Sequence, residues 1–175
     1  MDEGSNSATT TEAATTLTPL TDPPSPLNGA EAACLKAHND KRSVHGSPRL
    51  TWNATLAEHA QYWAHELVRL GRLMHQQGIS EGENLFKSSG QTEKTCVDAV
   101  RAWYGEIAQY NFNNPGFSPS TGHFTQVVWK ATTQVGVATI TELHPETGNL
   151  DTYVVARYTP AGNVLGKFEQ NVLPT

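Results

Sequence analysis

Apolar residues recur at helical spacing in three early stretches of this chain and at strand spacing in three later ones. The first stretch, "AEAACLKAHNDKRSVHG" from Ala30, sets Ala33, Ala37 and Lys41 on one side and ends at Gly46 and Pro48. In the second, Thr55 and Glu58 make a capping box, Leu56, Ala60, Trp63, Ala64 and Leu67 follow at helical spacing, and Gly71 closes the run. The third predicts a helix from about Thr95 to Tyr110, stacking Val100, Trp103, Ile107 and Tyr110. Between the second and third, "MHQQGISEGENLFKSSGQ" reads as a long loop, and loops of that length in a compact domain tend to carry function. After the aromatic loop "YNFNNPGFSPSTG", the pattern predicts strands at Phe124–Trp129, Val135–Thr141 and Thr152–Thr159, the last two joined by the turn "ELHPETGNLD". Helices before strands predict an α+β fold, with helices laid on a small, mainly antiparallel sheet.

Composition divides the chain unevenly. Residues 1–33 hold five acidic side chains, no Lys or Arg, and a Thr/Ser/Pro/Ala texture without the apolar side chains needed to offset ordering entropy. They read as a disordered tail, leaving one domain at 34–175. Taking those five from the chain's 17 acidic residues leaves 12 against 12 basic ones, so the domain is electroneutral and lacks the basic surface that nucleic-acid binding requires. No apolar run approaches the ~20 residues that span a bilayer, and the N-terminus lacks a signal-peptide layout. Asp2 stands where N-myristoylation needs glycine. The expectation is an intracellular protein or a mature form whose leader has been removed. Cys34 and Cys96 permit at most one internal disulfide, and Asn53-Ala54-Thr55 is a glycosylation sequon that matters only in a secreted protein.

Four ionisable residues fall in loops or at element edges: His75, Glu83, Glu106 and His123. Glu106 borders the buried stripe of the third helix, and His123, at the mouth of the expected strand, points to the side of Thr125, Val127 and Trp129. Two neutral imidazoles suit zinc or a related divalent ion, with carboxylates to complete the shell or orient the rings. The same quartet suits proton transfer, and a separation of 48 residues between the histidines is no motif by itself. Other catalytic patterns fail. "His65-Glu66-Leu-Val-Arg69" lacks the second histidine of a zincin helix, and neither a Gly-x-Ser-x-Gly elbow nor a phosphate-cradling glycine loop occurs. Ser88 and Ser89 are ordinary loop polar residues or, less simply, nucleophiles. Tyr110, Phe112 and Phe117 either pack on the domain or line an apolar groove for a flat lipid such as a sterol.

Several blocks carry a resemblance. "HNDKR" at 38–42, "HGSPRLTWN" at 45–53, "GENLF" at 82–86, "WYGEIAQYNF" at 103–112, "GHFTQVVWKATTQVGVA" at 122–138 and "YTPAGNVLGKFEQNV" at 158–172 closely resemble the signature blocks of the CAP superfamily. That superfamily comprises cysteine-rich secretory proteins, antigen 5 and pathogenesis-related 1 proteins. Val137, where many secreted relatives have cysteine, and the absence of a cysteine-rich extension make the chain most similar to the Golgi-associated plant pathogenesis-related protein 1 group. Its best-known type is myristoylated, intracellular and able to dimerise; Asp2 departs from it.

The resemblance implies a three-layer α-β-α sandwich. It implies a cleft tetrad of His75, Glu83, Glu106 and His123, whose histidines bind zinc in relatives. The aromatic loop with Tyr110, Phe112 and Phe117 is similar to a caveolin-binding-like motif linked to sterol binding. It follows that the chain is expected to be a binding protein for a sterol or other lipid and for zinc or another divalent ion, with a membrane surface or a second copy as further partners. Pairing of Cys34 with Cys96 is expected in an oxidising compartment. The location is extracellular if a leader has been removed, otherwise intracellular and membrane-associated. The alternative is a hydrolase in which cleft-bound zinc or a His/Glu pair activates water, with Ser89 the less favoured nucleophile. Two imidazoles grip a metal more weakly than the three protein ligands usual in catalytic zinc sites, which favours binding.

Overall fold

The computed structural model describes residues 26–175 and Met1, so most of the expected tail lies outside the described residues. The first helix, α1 (Gly29–Val44), begins ahead of the expected domain start at 34, because Asn28 and Glu31 cap it reciprocally at 2.9 Å each way. Then come β1 (Thr51–Trp52), α2 (Ala54–Leu70), β2 (Gly82–Gly90), α3 (Cys96–Gly105), a 3-10 turn (Glu106–Gln109), α4 (Gly122–Val128), β3 (Gln134–Leu143), β4 (Leu150–Thr159) and α5 (Phe168–Asn171). The sheet order is β1-β3-β4-β2. Both β3 and β2 run antiparallel to β4, while the two-residue β1 is parallel to β3.

Alternation along β4 builds the layers. Tyr153 and Val155 point to the side where α2 lays Ala60, Ala64 and Leu67, whereas Val154, Ala156 and Tyr158 face Val100, Trp103, Phe124 and Val127 of α3 and α4. The expected three-layer α-β-α sandwich is what forms. Among the described residues no helix is long and apolar enough to cross a membrane.

Four local expectations are corrected. The stretch Phe124–Trp129 is not a strand but most of α4, with Phe124 to Val128 all buried. Its β-branched residues favour a strand, yet both helix ends are held by distant side chains. Glu106 accepts from the backbone N–H groups of His123 and Phe124, and Arg42 donates to the carbonyls of Val127 and Trp129. The long loop contains β2, an edge strand whose Gly/Ser/Asn composition hides it and whose full-length pairing with β4 makes it. The third helix stops at Gly105 and tightens into the 3-10 turn. The cap of α2 is Asn53, accepting from the Leu56 N–H at 3.1 Å, and not the Thr55/Glu58 box.

The buried side of α1 is Cys34, His38 and Arg42, one position on from the Ala33, Ala37 and Lys41 row. Arg42 is fully buried and donates to Pro48, Val127, Trp129 and Thr132 carbonyls at 2.8–3.1 Å. Burial lowers its pKa to about 10. It keeps its charge at neutral pH and ties the loops around α4 to α1.

Candidate functional site

The start of β2 lies at the sheet edge, beside α4. Here Gly82 is required for close approach, since a Cβ would collide with the side-chain amide of Gln126 on α4. Glu83 and Asn84 then point to opposite faces, as strand geometry demands. Glu83 lies opposite Arg157 in the ladder, and Asn84 turns towards α4, donating to the His123 carbonyl at 3.1 Å.

Two histidine–carboxylate pairs flank this edge. Nδ1 of His75 donates to Oε1 of Glu83 at 2.6 Å, and Nδ1 of His123 donates to Oε1 of Glu106 at 2.7 Å. The second oxygen of each carboxylate also faces a positively polarised partner, an ion-pair contact without a hydrogen bond in Glu83 and two hydrogen bonds in Glu106. The other oxygen of Glu83 meets Nη2 of Arg157 at 2.9 Å, and that of Glu106 takes the two backbone N–H groups of α4 at 3.0 Å each. Nε2 of each ring makes no hydrogen bond among the described residues, leaving it as the nitrogen available to a ligand. The His123 ring also stacks on Trp103, with centroids 6.3 Å apart and planes 23° from parallel. His75, Glu83 and His123 line one open cavity of about 420 Å³, together with Gln76, Glu81, Phe117 and Asn163. His123 reaches it from the start of a helix and not from a strand.

The electrostatics of the cleft shift His75 towards its protonated form relative to a free imidazole. Its hydrogen bond to Glu83 raises its pKa above 6.5, aided by the carboxylate charge and opposed by burial and by Arg157. Because the folded value is raised, this pair stabilises fully below the ordinary value of ~6.5 and the contribution is lost as pH rises through the raised one. Arg157 is fully buried, and desolvation lowers its pKa against the pull of Glu83 and Glu81.

Arg157, Glu81, His59 and Gln76 escaped the sequence reading. Arg157 donates to Gln76 Oε1, approaches Glu81 at 3.7 Å, and Glu81 in turn holds His59 at 2.6 Å. A lone arginine inside the apolar run "YVVARYT" was the available signal.

The three aromatic residues do not share one surface. Tyr110 is buried and Phe112 half-buried; the two pack edge-on to each other, Phe112 edge-on and Tyr110 tilted against Phe124, at centroid distances of 4.9–6.3 Å. Only Phe117 faces outward, 53% exposed. It borders both the cleft and a groove of about 280 Å³ that runs past Tyr110 and Asn114. Ser88 and Ser89 sit towards the far end of β2 from Glu83 and do not line the cleft, so Ser89 is not its nucleophile. Cys34 and Cys96 form a disulfide between α1 and α3.

An α-β-α sandwich with paired histidines and carboxylates over its sheet edge defines a class of small cleft proteins. Residues 35–158 match the model of the CAP, or cysteine-rich secretory protein, family, and the chain belongs to that family. It is 44% identical over 141 residues to Protein PRY2 of Saccharomyces cerevisiae, spanning 80% of this chain but only 40% of that protein. It is also 44% identical over 146 residues to human Golgi-associated plant pathogenesis-related protein 1, spanning 80% of this chain and 90% of that one. The solved structure of NaASP2 with Zn2+ superposes with a TM-score of 0.64 at 24% identity, over 83% of this chain and 85% of that one. That last likeness is one of fold.

Proposed function

We propose that the chain is a binding module whose cleft holds a divalent cation, zinc for preference, through Nε2 of His75 and His123. The observation that carries this is the shared arrangement of the two rings: each gives Nδ1–H to a carboxylate and turns no other partner to Nε2. A carboxylate on the far nitrogen fixes the tautomer and raises ligand basicity, the arrangement found behind zinc-bound histidines. Glu83 and Glu106 therefore serve as orienting groups and not as ligands, since Arg157 and the α4 backbone occupy their second oxygens. Waters complete the shell. The zinc in the described NaASP2 structure is in keeping with this reading.

Phe117 supplies the apolar contact for a lipid, a sterol or one of similar shape, where the cleft meets the aromatic loop; Tyr110 and Phe112 support that loop from inside. Among the described residues the cleft lining offers no Ser, Thr, Cys or Lys as a nucleophile, so hydrolysis would have to rest on water activated by a bound metal or by a His/Glu pair. That favours binding over turnover. The Cys34–Cys96 disulfide suits an oxidising compartment and so supports a location outside the cytosol.

Titration calorimetry with zinc tests the cation site. Replacing His75 or His123 by Ala should weaken binding at least tenfold, while Glu83→Gln and Glu106→Gln should weaken it by roughly 10–100-fold by releasing the rings. Affinity should fall as pH drops through the window that begins above 6.5, because the proton on His75 competes with the metal. Unchanged affinity in both histidine variants would overturn the reading.

A further inference from the structure

We propose that reduction of the Cys34–Cys96 disulfide turns the junction of α1 and α3 into a zinc site with Cys34, Cys96 and His38 as ligands, separate from the cleft. Three observations lead there. First, Cys34 and His38 lie one turn apart on the buried side of α1, Cys96 opens α3, and the two sulfurs and a ring nitrogen of His38 lie within 4.8 Å of one another. Cys34 Sγ is 4.0 Å from His38 Nδ1. Zinc bonds of ~2.3 Å to sulfur and ~2.0–2.1 Å to nitrogen, arranged tetrahedrally, space such ligands by roughly 3.5–3.8 Å, so the three groups need shift only slightly once the sulfurs part.

Second, the two cysteines line an open groove of about 500 Å³, bordered by Glu31, Trp52, Lys94 and Val137. The groove gives a reductant and an ion a route to sulfurs that are otherwise buried. Third, the outer partner of the histidine is already in place. Nδ1 now donates to the Cys34 carbonyl at 3.0 Å, while Nε2 lies 2.9 Å from the Tyr158 hydroxyl, which Asn84 also contacts at 3.3 Å. With zinc on Nδ1 the ring proton moves to Nε2 and is donated to the Tyr158 oxygen, which fixes the ring from behind. The Cys34 carbonyl keeps its helical partner.

The chemistry balances with a dithiol as reductant. Its thiolate attacks one sulfur of the disulfide, the S–S electron pair leaves on the other, and the reductant's second thiol releases the first by closing its own disulfide. Two electrons and two protons pass to Cys34 and Cys96. Zinc then displaces both thiol protons, and thiolate ligands select it over harder ions. Three protein ligands leave the fourth position to water on the groove side.

The test uses the full chain with His75 and His123 replaced by Ala, which removes the cleft ligands, in its oxidised and its dithiol-reduced, desalted forms. The reduced form should bind about one more equivalent of zinc than the oxidised form. With cobalt in place of zinc it should show thiolate-to-metal charge-transfer absorption that the oxidised form lacks. His38→Gln, which keeps both thiols, should weaken that binding at least tenfold, and near-ultraviolet circular dichroism should show the zinc-loaded reduced chain to be folded. Equal zinc uptake by the two forms, absence of the charge-transfer band, unchanged affinity in His38→Gln, or a reduced chain that zinc leaves unfolded would each overturn the proposal.

Discussion

Replacing Glu106 tests whether one side chain both builds α4 and orients His123. Its carboxylate accepts from the N–H groups of His123 and Phe124 at 3.0 Å each and from His123 Nδ1 at 2.7 Å. Thr121, the residue preceding α4, makes no side-chain cap, so no local group replaces the lost acceptor. Loss of a helix cap costs about 1 kcal/mol. Loss of the partly exposed pair to His123 adds roughly 0.5–1 kcal/mol. Glu106→Ala should therefore lower stability by about 2 kcal/mol, which for a domain of this size is roughly 4–8 °C in Tm. Glu106→Gln keeps one oxygen and should cost about half as much. Urea unfolding followed by tryptophan fluorescence measures both, with Trp103 stacked on His123 as a local reporter. In a His123→Ala background the Ala substitution should still cost about 1 kcal/mol, because the two backbone bonds remain to be lost. A cost below about 0.5 kcal/mol in either background would refute the capping role.

Arg42→Met should lower stability by roughly 3 kcal/mol or more in the same assay, since it leaves four carbonyls without their buried donor; a neutral outcome would mean that water takes the guanidinium's place. His38 is fully buried, and desolvation, with the Arg42 charge, lowers its pKa to about 4 against the hydrogen bond to the Cys34 carbonyl. A lowered value means that its neutral form stabilises in full above ~6.5 and that on the order of 3 kcal/mol is lost as pH falls towards 4. His38→Gln should flatten the dependence of the urea midpoint on pH across that range, and an unchanged slope would sink the assignment. Replacing both Cys34 and Cys96 by Ala opens a tie across a sequence separation of 62 and should cost about 4 kcal/mol under non-reducing conditions.

The helices α2 and α3 were legible from the apolar stripe each buries, α1 from its helical residues and the Gly46 and Pro48 that end it, and β3 and β4 from their β-branched runs on either side of an exposed turn. β2 and α4 were not, for related reasons. β2 is polar and glycine-bearing at an edge, and its partner strand lies some 70 residues on. α4 reads as a strand locally, and the groups that terminate it, Glu106 and Arg42, come from 17 and 85 residues away. Periodicity carries no information about such distant caps. Likewise, the spacing of His75, Glu83, Glu106 and His123 gave no hint of who pairs with whom; their places in loops and at element edges collected the four, and the resemblance alone made them one cleft tetrad. The aromatic loop shows the converse limit, for spacing did not reveal that Tyr110 and Phe112 turn inward while Phe117 turns out.

The measurement that bears most directly on the cleft is anomalous diffraction at the zinc edge from crystals of the chain grown with zinc. A single cleft peak about 2.0–2.1 Å from Nε2 of both His75 and His123, with Glu83 and Glu106 still on the Nδ1 atoms, is the predicted result. A peak bound by carboxylate oxygens or by one histidine alone, or a cleft without a peak, would contradict it.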